Sequence, residues 1–599
     1  MALVAGFLAA ALTAPAPAHA LTWGRCDGGV RAWQCARLTV ALDHGGTAPG
    51  TIDLGLMRLH APGPPRPAIL ALSGGPGESA TVGYRDWARR TRDARRLYDL
   101  VVYDQRGTGR SAPLSCPISR LTVPQVAACA AALGPRRRFF STEQTVEDVE
   151  AIRQALGGRP LVLAGVSYGT YVALQYARAH PDGVERVLLD STFGPGPFDP
   201  FYRDIMRAAP RVLADICARA ACASVTPDAG ADLATVAAQL EAGPRSMVVA
   251  TGRGPREVKV DAGDLLVLVY RSSEDAYLRV RLPALLHAAA AGDYLPLARY
   301  ATFGRFDAGV TRAGESLATF IAVTCQDASF PWPAAAAAPA RADALVAYLG
   351  DRLGDAGPFG PSAARRRGAG WCLGWPEAGP RPDPGPLPPL RGLVVAGRYD
   401  VRTSEETARE LVAAAPGLSL VVDGGAGHDV LGEPSPCTQR AVARFWRALP
   451  PPACDSPPGL VGRIAPALPR TLADVGGPDP VAAAIRMTFA SLLERDQSAP
   501  FAGQGRIEFA GLRGGLVRHR LAPAGRVDRF AVRGFRFVED VAVSGDFTAD
   551  PFLRRFPRGV LRVSGAVRGT LRIRGSRASG SLNGVRYRLR LPAAPADAD

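Results

Sequence analysis

Gly165-Val166-Ser167-Tyr168-Gly169 lies between an apolar run, Leu161 to Ala164, short enough for a buried strand, and Tyr171 to Arg178, which reads as a helix. Strand, Gly-x-Ser-x-Gly and helix in that order form the setting of a nucleophile elbow. A strand that reverses at once into a helix strains its turn residue, and small neighbours let the two backbones pass. Ser167 is therefore expected at the head of a sheet with its hydroxyl presented outward. A hydroxyl is a weak nucleophile, so it needs an imidazole within hydrogen-bond reach and a carboxylate that orients the imidazole.

Seven histidines compete for the role of base. His19 falls in an N-terminal apolar leader, His44 and His60 in early strands, His180 at the end of the helix after the serine, His287 in a later helical segment and His519 near the C-terminus. His428 alone follows a late strand, Leu418 to Val422, in the glycine-rich loop Asp423-Gly424-Gly425-Ala426-Gly427-His428-Asp429. Asp400, two residues after Arg398 at the end of the run Leu393 to Ala396, is the expected orienting acid. Asp190 and Asp423 are its rivals, each able to serve instead as a loop-capping carboxylate. Ser167, Asp400, His428 is the chain order found in α/β-hydrolases.

The transition state needs amide donors for its oxyanion. Ser73-Gly74-Gly75-Pro76-Gly77-Glu78-Ser79 follows a strand at Pro67 to Leu72, and its glycines let backbone N–H groups approach a ligand. The Gly75 amide and the Tyr168 amide, next to the nucleophile, are the expected pair. No Lys-Ser or Lys-Thr follows the turn, which excludes a P-loop.

Strands at 36–42, 51–60, Tyr98 to Tyr103 and Val184 to Leu189, with a helix at Thr145 to Leu156, alternate in the manner of a parallel sheet bearing its active groups at the carboxyl edge. The alternation stops after Thr192, gives way to Ala- and Leu-rich helical stretches such as Leu282 to Thr302, and resumes at Leu393. The expected organisation is a leader at 1–20, an α/β-hydrolase core at 21–192 and 390–454, an inserted mainly helical cap at 193–389, and a β-rich C-terminal domain at 455–599. In that last region Val585, Tyr587, Leu589 and Leu591 alternate with Arg586, Arg588 and Arg590, the period of a strand in an antiparallel sheet.

At 599 residues several domains are required. The net charge is +16, but Lys259 is the single lysine, a bias that accompanies the abundance of Ala, Gly and Pro and argues against nucleic-acid binding as its cause. Residues 455–599 carry 23 Arg against 13 Asp and Glu, so this region holds +10 of the total, which suits contact with an anionic cell envelope and equally a solvated arginine face. The apolar stretch Leu3 to Leu12 with Ala18-His19-Ala20 has the shape of a secretory signal, although no basic residue precedes Arg25. No later apolar run is long enough for a membrane span. Ten cysteines in an exported chain predict disulfides between near neighbours, Cys26–Cys35, Cys116–Cys129, Cys217–Cys222, Cys325–Cys372 and Cys437–Cys454. No C-x-x-C spacing occurs, and neither a metal nor a cofactor is expected.

Ser73-Gly74-Gly75-Pro76-Gly77, Asp104-Gln105-Arg106-Gly107-x-Gly109-x-Ser111 and Gly165-x-Ser167-Tyr168-Gly169 together resemble the prolyl-aminopeptidase family of α/β-hydrolases, and in style its secreted actinobacterial tripeptidyl aminopeptidases. The resemblance covers about residues 21–454; Ser73 departs from the usual His, and Arg402-Thr403-Ser404 from a frequent Thr-Pro. It implies hydrolysis of peptide bonds near a free N-terminus through an acyl-enzyme on Ser167. Such an enzyme must bind an ammonium group, and Asp327, near Cys325, is the candidate acceptor, with a plain surface aspartate as the other reading. Trp371 and Trp375 are candidates for the pocket wall or for the core, and Asp104 and Arg106 for bracing the loop beside the oxyanion turn. A secreted carboxylesterase or lipase is the alternative, because the same triad serves esters. A non-catalytic envelope-binding protein is the third reading.

Overall fold

The computed structural model describes residues 21–27, 30–60, 66–251, 254–304, 314–353, 356–454, 464–493, 506–520, 527–550 and 555–591. The leader expected at 1–20 lies outside them. Eleven strands precede the C-terminal region: β1 Gly24–Arg25, β2 Gln34–Ala41, β3 Thr51–Leu59, β4 Ala68–Leu72, β5 Asp99–Tyr103, β6 Leu161–Val166, β7 Val184–Asp190, β8 Arg245–Thr251, β9 Gly254–Val260, β10 Gly392–Gly397 and β11 Leu418–Asp423. Nine of them form one sheet in the order β1-β2-β3-β5-β4-β6-β7-β10-β11. From β5 through β11 every pairing is parallel, and β2 and β3 join antiparallel at the edge.

Burial explains the central strands. All of β5, and Leu161 to Gly165 of β6, are buried, as expected of strands covered by helices on both faces. One face rests on helices Thr142–Ala155 and Tyr168–Ala179, through residues such as Val149, Ile152, Val172 and Tyr176. The other rests on Tyr84–Arg90 and Pro436–Phe445, through Trp87, Val442 and Phe445.

Between β7 and β10 the chain leaves the sheet. Helices Arg203–Ile216, Ala229–Glu241, Ala262–Ser272, Ala276–Ala290, Leu295–Gly304, Leu317–Asp327, Ala338–Arg352 and Pro361–Arg367 cover its carboxyl edge. The hairpin β8–β9 sits among them, so the mainly helical expectation missed one β element. The expected stretch Leu282 to Thr302 is two helices, because Gly292 adopts φ +90° and ends the first of them.

All five near-neighbour disulfides are formed as the spacing predicts. Cys325–Cys372 crosses the cap and ties the end of helix Leu317–Asp327 to the turn at Ala369–Gly374.

The C-terminal region is a separate antiparallel sheet of eight strands in simple sequence order: β12 Arg506–Ala510, β13 Leu516–Arg520, β14 Asp528–Phe535, β15 Val541–Asp550, β16 Arg555–Gly565, β17 Gly569–Arg574, β18 Arg577–Leu582 and β19 Val585–Arg590. One face packs on helix Pro480–Leu493, with Ile485 and Phe489 against Val517, Phe530, Leu571 and Leu589. The sheet is anchored to the cap, where Arg513 pairs with Asp293 and Arg299 donates to the Ala510 carbonyl at 2.5 Å. Among the described residues no helix is long and apolar enough to cross a membrane.

Candidate active site

Ser167 holds φ +53° and ψ −123°, a conformation that a side chain tolerates only where its surroundings fix it. Those surroundings are tight. A Cβ on Gly165 would meet the Gly169 backbone at 2.7 Å, and one on Gly169 would fall 1.9 Å from the Leu72 carbonyl oxygen. Both glycines are therefore required by the crossing of β6, the following helix and β4. The Ser167 amide donates to the Asp190 carbonyl at 3.0 Å, and the Ser167 carbonyl accepts from the Thr170 amide and hydroxyl.

The glycine turn after β4 packs on the elbow. A Cβ built on Gly74 would lie 3.3 Å from Ser167 Cβ and 3.2 Å from Glu78 Oε2. Gly75 has φ +104°, with no room for a side chain beside the Gly77 and Glu78 amides. Tyr168 begins its helix, so its N–H has no partner within that helix. The two amides expected to face an oxyanion thus belong to backbone segments packed together beside Ser167. Glu78 is exposed at that rim. The sequence had shown it only as part of a loop, and the signal was a carboxylate within an otherwise small-residue turn.

Asp400 and His428 meet across the ends of β10 and β11. Asp400 Oδ2 and His428 Nδ1 are 2.8 Å apart, with both side chains buried. Asp400 also accepts from the Arg402 amide at 2.7 Å, the Thr403 amide at 3.1 Å and the Thr403 hydroxyl at 2.7 Å. Burial pushes the Asp400 carboxyl up, but the His428 charge and these hydrogen bonds outweigh it and hold the group below its ordinary value. Burial pushes the His428 ring down, and Asp400 outweighs it in turn, leaving the imidazole above its ordinary value.

The cap takes part in this arrangement through Ser273, just after helix Ala262–Ser272. Its carbonyl accepts the His428 amide at 2.8 Å, and its hydroxyl accepts the Val401 amide at 3.0 Å. A Cβ on Gly427 would fall 1.8 Å from that same carbonyl. Nothing in the sequence marks Ser273, since its contacts cross 128 residues to Val401. Arg402 lies over the Tyr270 ring at 3.8 Å and pairs with Glu274 beside it.

The rival carboxylates cap loops. Asp190 accepts the Val430 amide at 3.0 Å and the Leu431 amide at 2.8 Å, which fixes the turn after His428. Burial and its neighbour Asp429 push the Asp190 carboxyl up to about 7, against the pull of Arg90. Asp423 accepts from the Gly425 and Ser435 amides and the Thr438 hydroxyl.

Asp327 ends the helix Leu317–Asp327, and its Oδ2 accepts the Thr142 amide at 2.9 Å and the Thr142 hydroxyl at 2.5 Å. That hydroxyl is 2.7 Å from the Tyr168 hydroxyl, so Asp327 connects to the elbow through one intervening residue. Burial pushes its carboxyl up to about 6, more than the Thr142 bonds pull it down. Trp375 is fully buried and belongs to the core, while Trp371 is half-buried against Phe320. Asp104 braces the loop beside the oxyanion turn as expected, and Arg106 does not share in it. Asp104 accepts from Ser79, Thr81 and the Arg110 amide, and holds the loop that follows the oxyanion turn. Arg106 turns away to Asp148 and the Leu42 and Phe139 carbonyls. Of the other histidines, His44 bonds Asp148, His60 bonds Asp99, His180 bonds Glu147, His287 bonds Asp232 and His519 bonds Asp528. Among the described residues no three His, Cys, Asp or Glu side chains gather as a metal would need.

A family model described as alpha/beta hydrolase fold matches residues 67–215, and one described as TAP-like protein matches residues 358–457. The chain is similar to a tripeptidyl aminopeptidase of Streptomyces lividans, 31% identical over 194 residues, covering 27% of this chain and 36% of that protein. It is similar to the serine protease Hip1 of Mycobacterium bovis, 28% identical over 205 residues, 29% of this chain and 38% of that one. A proline iminopeptidase of Neisseria meningitidis is 31% identical over 126 residues, 21% of this chain and 32% of its own length. The matches thus span about a third of the length of these relatives. Strand order, elbow and matched segments give this chain the α/β-hydrolase fold and a resemblance to the prolyl aminopeptidases.

Proposed function

We propose that the chain is an extracellular serine peptidase that cleaves peptide bonds near free N-termini. The observation that carries this reading is the buried Asp400–His428 pair at the carboxyl edge that also presents Ser167 in its strained turn. In the proposed cycle Ser167 Oγ attacks the scissile carbonyl carbon, and its proton passes to His428 Nε2. The Gly75 and Tyr168 amides take the oxyanion. The C–N bond breaks as His428 returns the proton to the leaving amine, and water releases the acyl group by the same path in reverse. Asp400 keeps the Nδ1 proton in place and stabilises the imidazolium. Asp327 is the proposed acceptor of the substrate ammonium, since its Oδ1 carries no hydrogen bond among the described residues. The peptidase names of the relatives support the substrate class, and five disulfides support an oxidising compartment.

The test is labelling by a fluorophosphonate, followed by turnover of tripeptide-anilide, proline-anilide and short acyl-ester substrates. Wild-type protein should be labelled and Ser167→Ala should not. Peptide anilides with a free amine should be cleaved faster than N-acetylated ones. Esters turned over alone would replace this reading with that of a carboxylesterase.

A further inference from the structure

The C-terminal sheet carries its arginines in a row. Arg520 pairs in register with Arg529, Arg529 with Thr548, Thr548 with Arg558, Arg558 with Arg574, Arg574 with Arg577, and Arg577 with Arg590. Six of the seven positions across β13 to β19 are arginine, all six are exposed, and all lie on one face, with every one but Arg558 at or next to the end of its strand. Arg572 and Arg588 lie in the next outward row with Ser579 between them. The opposite face is the one packed on helix Pro480–Leu493, so the arginine face is the outer one.

Like charges opposite one another on a sheet destabilise it. Elsewhere on this face the chain neutralises them: Arg518 pairs with Glu508 at 2.8 Å and Arg533 with Asp546 at 3.6 Å. Along the row itself no arginine pairs with a carboxylate among the described residues. A repulsive row retained without counter-charges fits a surface completed by an anionic partner. Adjacent strands are about 4.8 Å apart, so the row extends about 29 Å. Flexible guanidinium groups spread along such a row can reach successive phosphates of an extended chain and grip each with two hydrogen bonds.

We propose that this face binds a linear polymer with phosphate in its backbone and no bases, laid across the strands. The charge of the row selects that occupant, and the other described residues of the face fit it. Among the residues of β16 to β19 whose side chains are described, none that is exposed is aromatic, so none is placed to stack a base, which disfavours a nucleic acid. Among the described residues there, Val560 and Val585 are the exposed large apolar ones, too few to enter a lipid surface. The site is distinct from the elbow and independent of the peptidase reading.

The experiment measures binding of the full chain to purified poly(glycerol phosphate) over a range of salt. Wild-type protein should bind with log K falling against log salt at a slope of about −4, from roughly six phosphate contacts. The triple variant Arg574→Ser, Arg577→Ser, Arg590→Ser should bind at least about tenfold more weakly with a slope shallower by about 2. The triple Lys variant at the same positions should keep the wild-type slope, which separates lost charge from misfolding. The paired-residue variant Arg518→Ser, Arg533→Ser should change the slope little. Serine labelling should be the same in all of them. No binding by wild type, or equal binding by the Ser triple variant, would overturn the proposal. Tighter binding to phosphatidylglycerol vesicles or to single-stranded DNA than to the polymer would also overturn it and assign the face to that partner.

Discussion

The Ser273 carbonyl of the cap accepts the His428 amide at 2.8 Å, while the Ser273 hydroxyl accepts the Val401 amide at 3.0 Å. One cap residue therefore holds both loops that bring Asp400 and His428 together. Ser273 is fully buried, so Ser273→Ala strands the Val401 N–H without water to replace the bond. A buried donor left unpaired costs about 1–3 kcal/mol. The variant should melt at lower temperature and lose kcat while KM stays near the wild-type value, because the acid loop shifts and the binding surface does not. Steady-state kinetics with one peptide anilide and a melting curve check both. Unchanged kcat would show that the Ser273 hydroxyl does not position the acid loop.

Asp400→Asn removes the charge that lifts the His428 pKa. Burial, the largest influence left, and Arg402 then act against Glu274 alone, so the imidazole pKa should fall below its ordinary value. The reaction needs neutral His428, so wild-type activity should decline on the acid side of a pKa above the ordinary histidine value, and the variant's limb should move to lower pH. Its kcat should drop by about 10⁴, the cost of losing the orienting carboxylate in such triads. The pair also contributes to stability. His428 has its folded pKa raised, so its share is present below the unfolded pKa and lost as pH rises through the folded one. Asp400 has its folded pKa lowered, so its share is present above the unfolded value and lost as pH falls through the folded one. Melting temperature against pH should therefore lose its acid-side dependence on Asp400 in the variant.

The chain order Ser167, Asp400, His428 and the strand alternation were legible because each rests on a local pattern. An apolar run followed by glycine and a polar residue marks the carboxyl end of a buried strand wherever it occurs. The disulfides were legible for the same reason, since each partner is a near neighbour in sequence. Arg106 shows what was not legible. Its place beside Asp104 implied a shared brace, yet its partner Asp148 lies 42 residues on, in the helix Thr142–Ala155. Ser273 and the row of the C-terminal sheet were hidden likewise. Alternation in β19 revealed an arginine face, but only the strand register shows that Arg590, Arg577 and Arg574 stand side by side.

Asp327 should make substrate binding depend on pH. Its carboxyl is pushed up to about 6 by burial, so it is ionised at neutral pH and protonated a unit or two below. A peptide with a free amine should show KM rising as pH falls through about 6, and an N-acetylated peptide should not. Asp327→Asn should remove that dependence and raise KM for the free amine by about tenfold or more, the scale of one charge-assisted hydrogen bond. Because Oδ2 also holds the Thr142 amide and hydroxyl, a melting curve must accompany the kinetics. A KM for free amines that ignores both pH and the substitution would remove Asp327 from the site.

Arg106 and Asp148 form a fully buried ion pair, with Nε to Oδ2 at 2.7 Å and Nη2 to Oδ1 at 2.5 Å. The guanidinium also reaches the Leu42 and Phe139 carbonyls at 2.8 and 2.7 Å, so one side chain joins the end of β2, the turn before helix Thr142–Ala155 and that helix itself. Removing Arg106 leaves the buried Asp148 charge with the His44 ring, at 2.8 Å, as its remaining side-chain partner, a loss of up to about 3–5 kcal/mol. Arg106→Met should therefore lower the melting temperature sharply. The double variant Arg106→Met, Asp148→Leu should recover much of the loss, because no charge is then left buried. Serine labelling at a temperature where all variants are folded should be close to wild type, since neither residue touches Ser167, His428 or Asp400. Equal melting temperatures for the single and double variants would mean that the lost carbonyl bonds, not the orphaned carboxylate, dominate the cost.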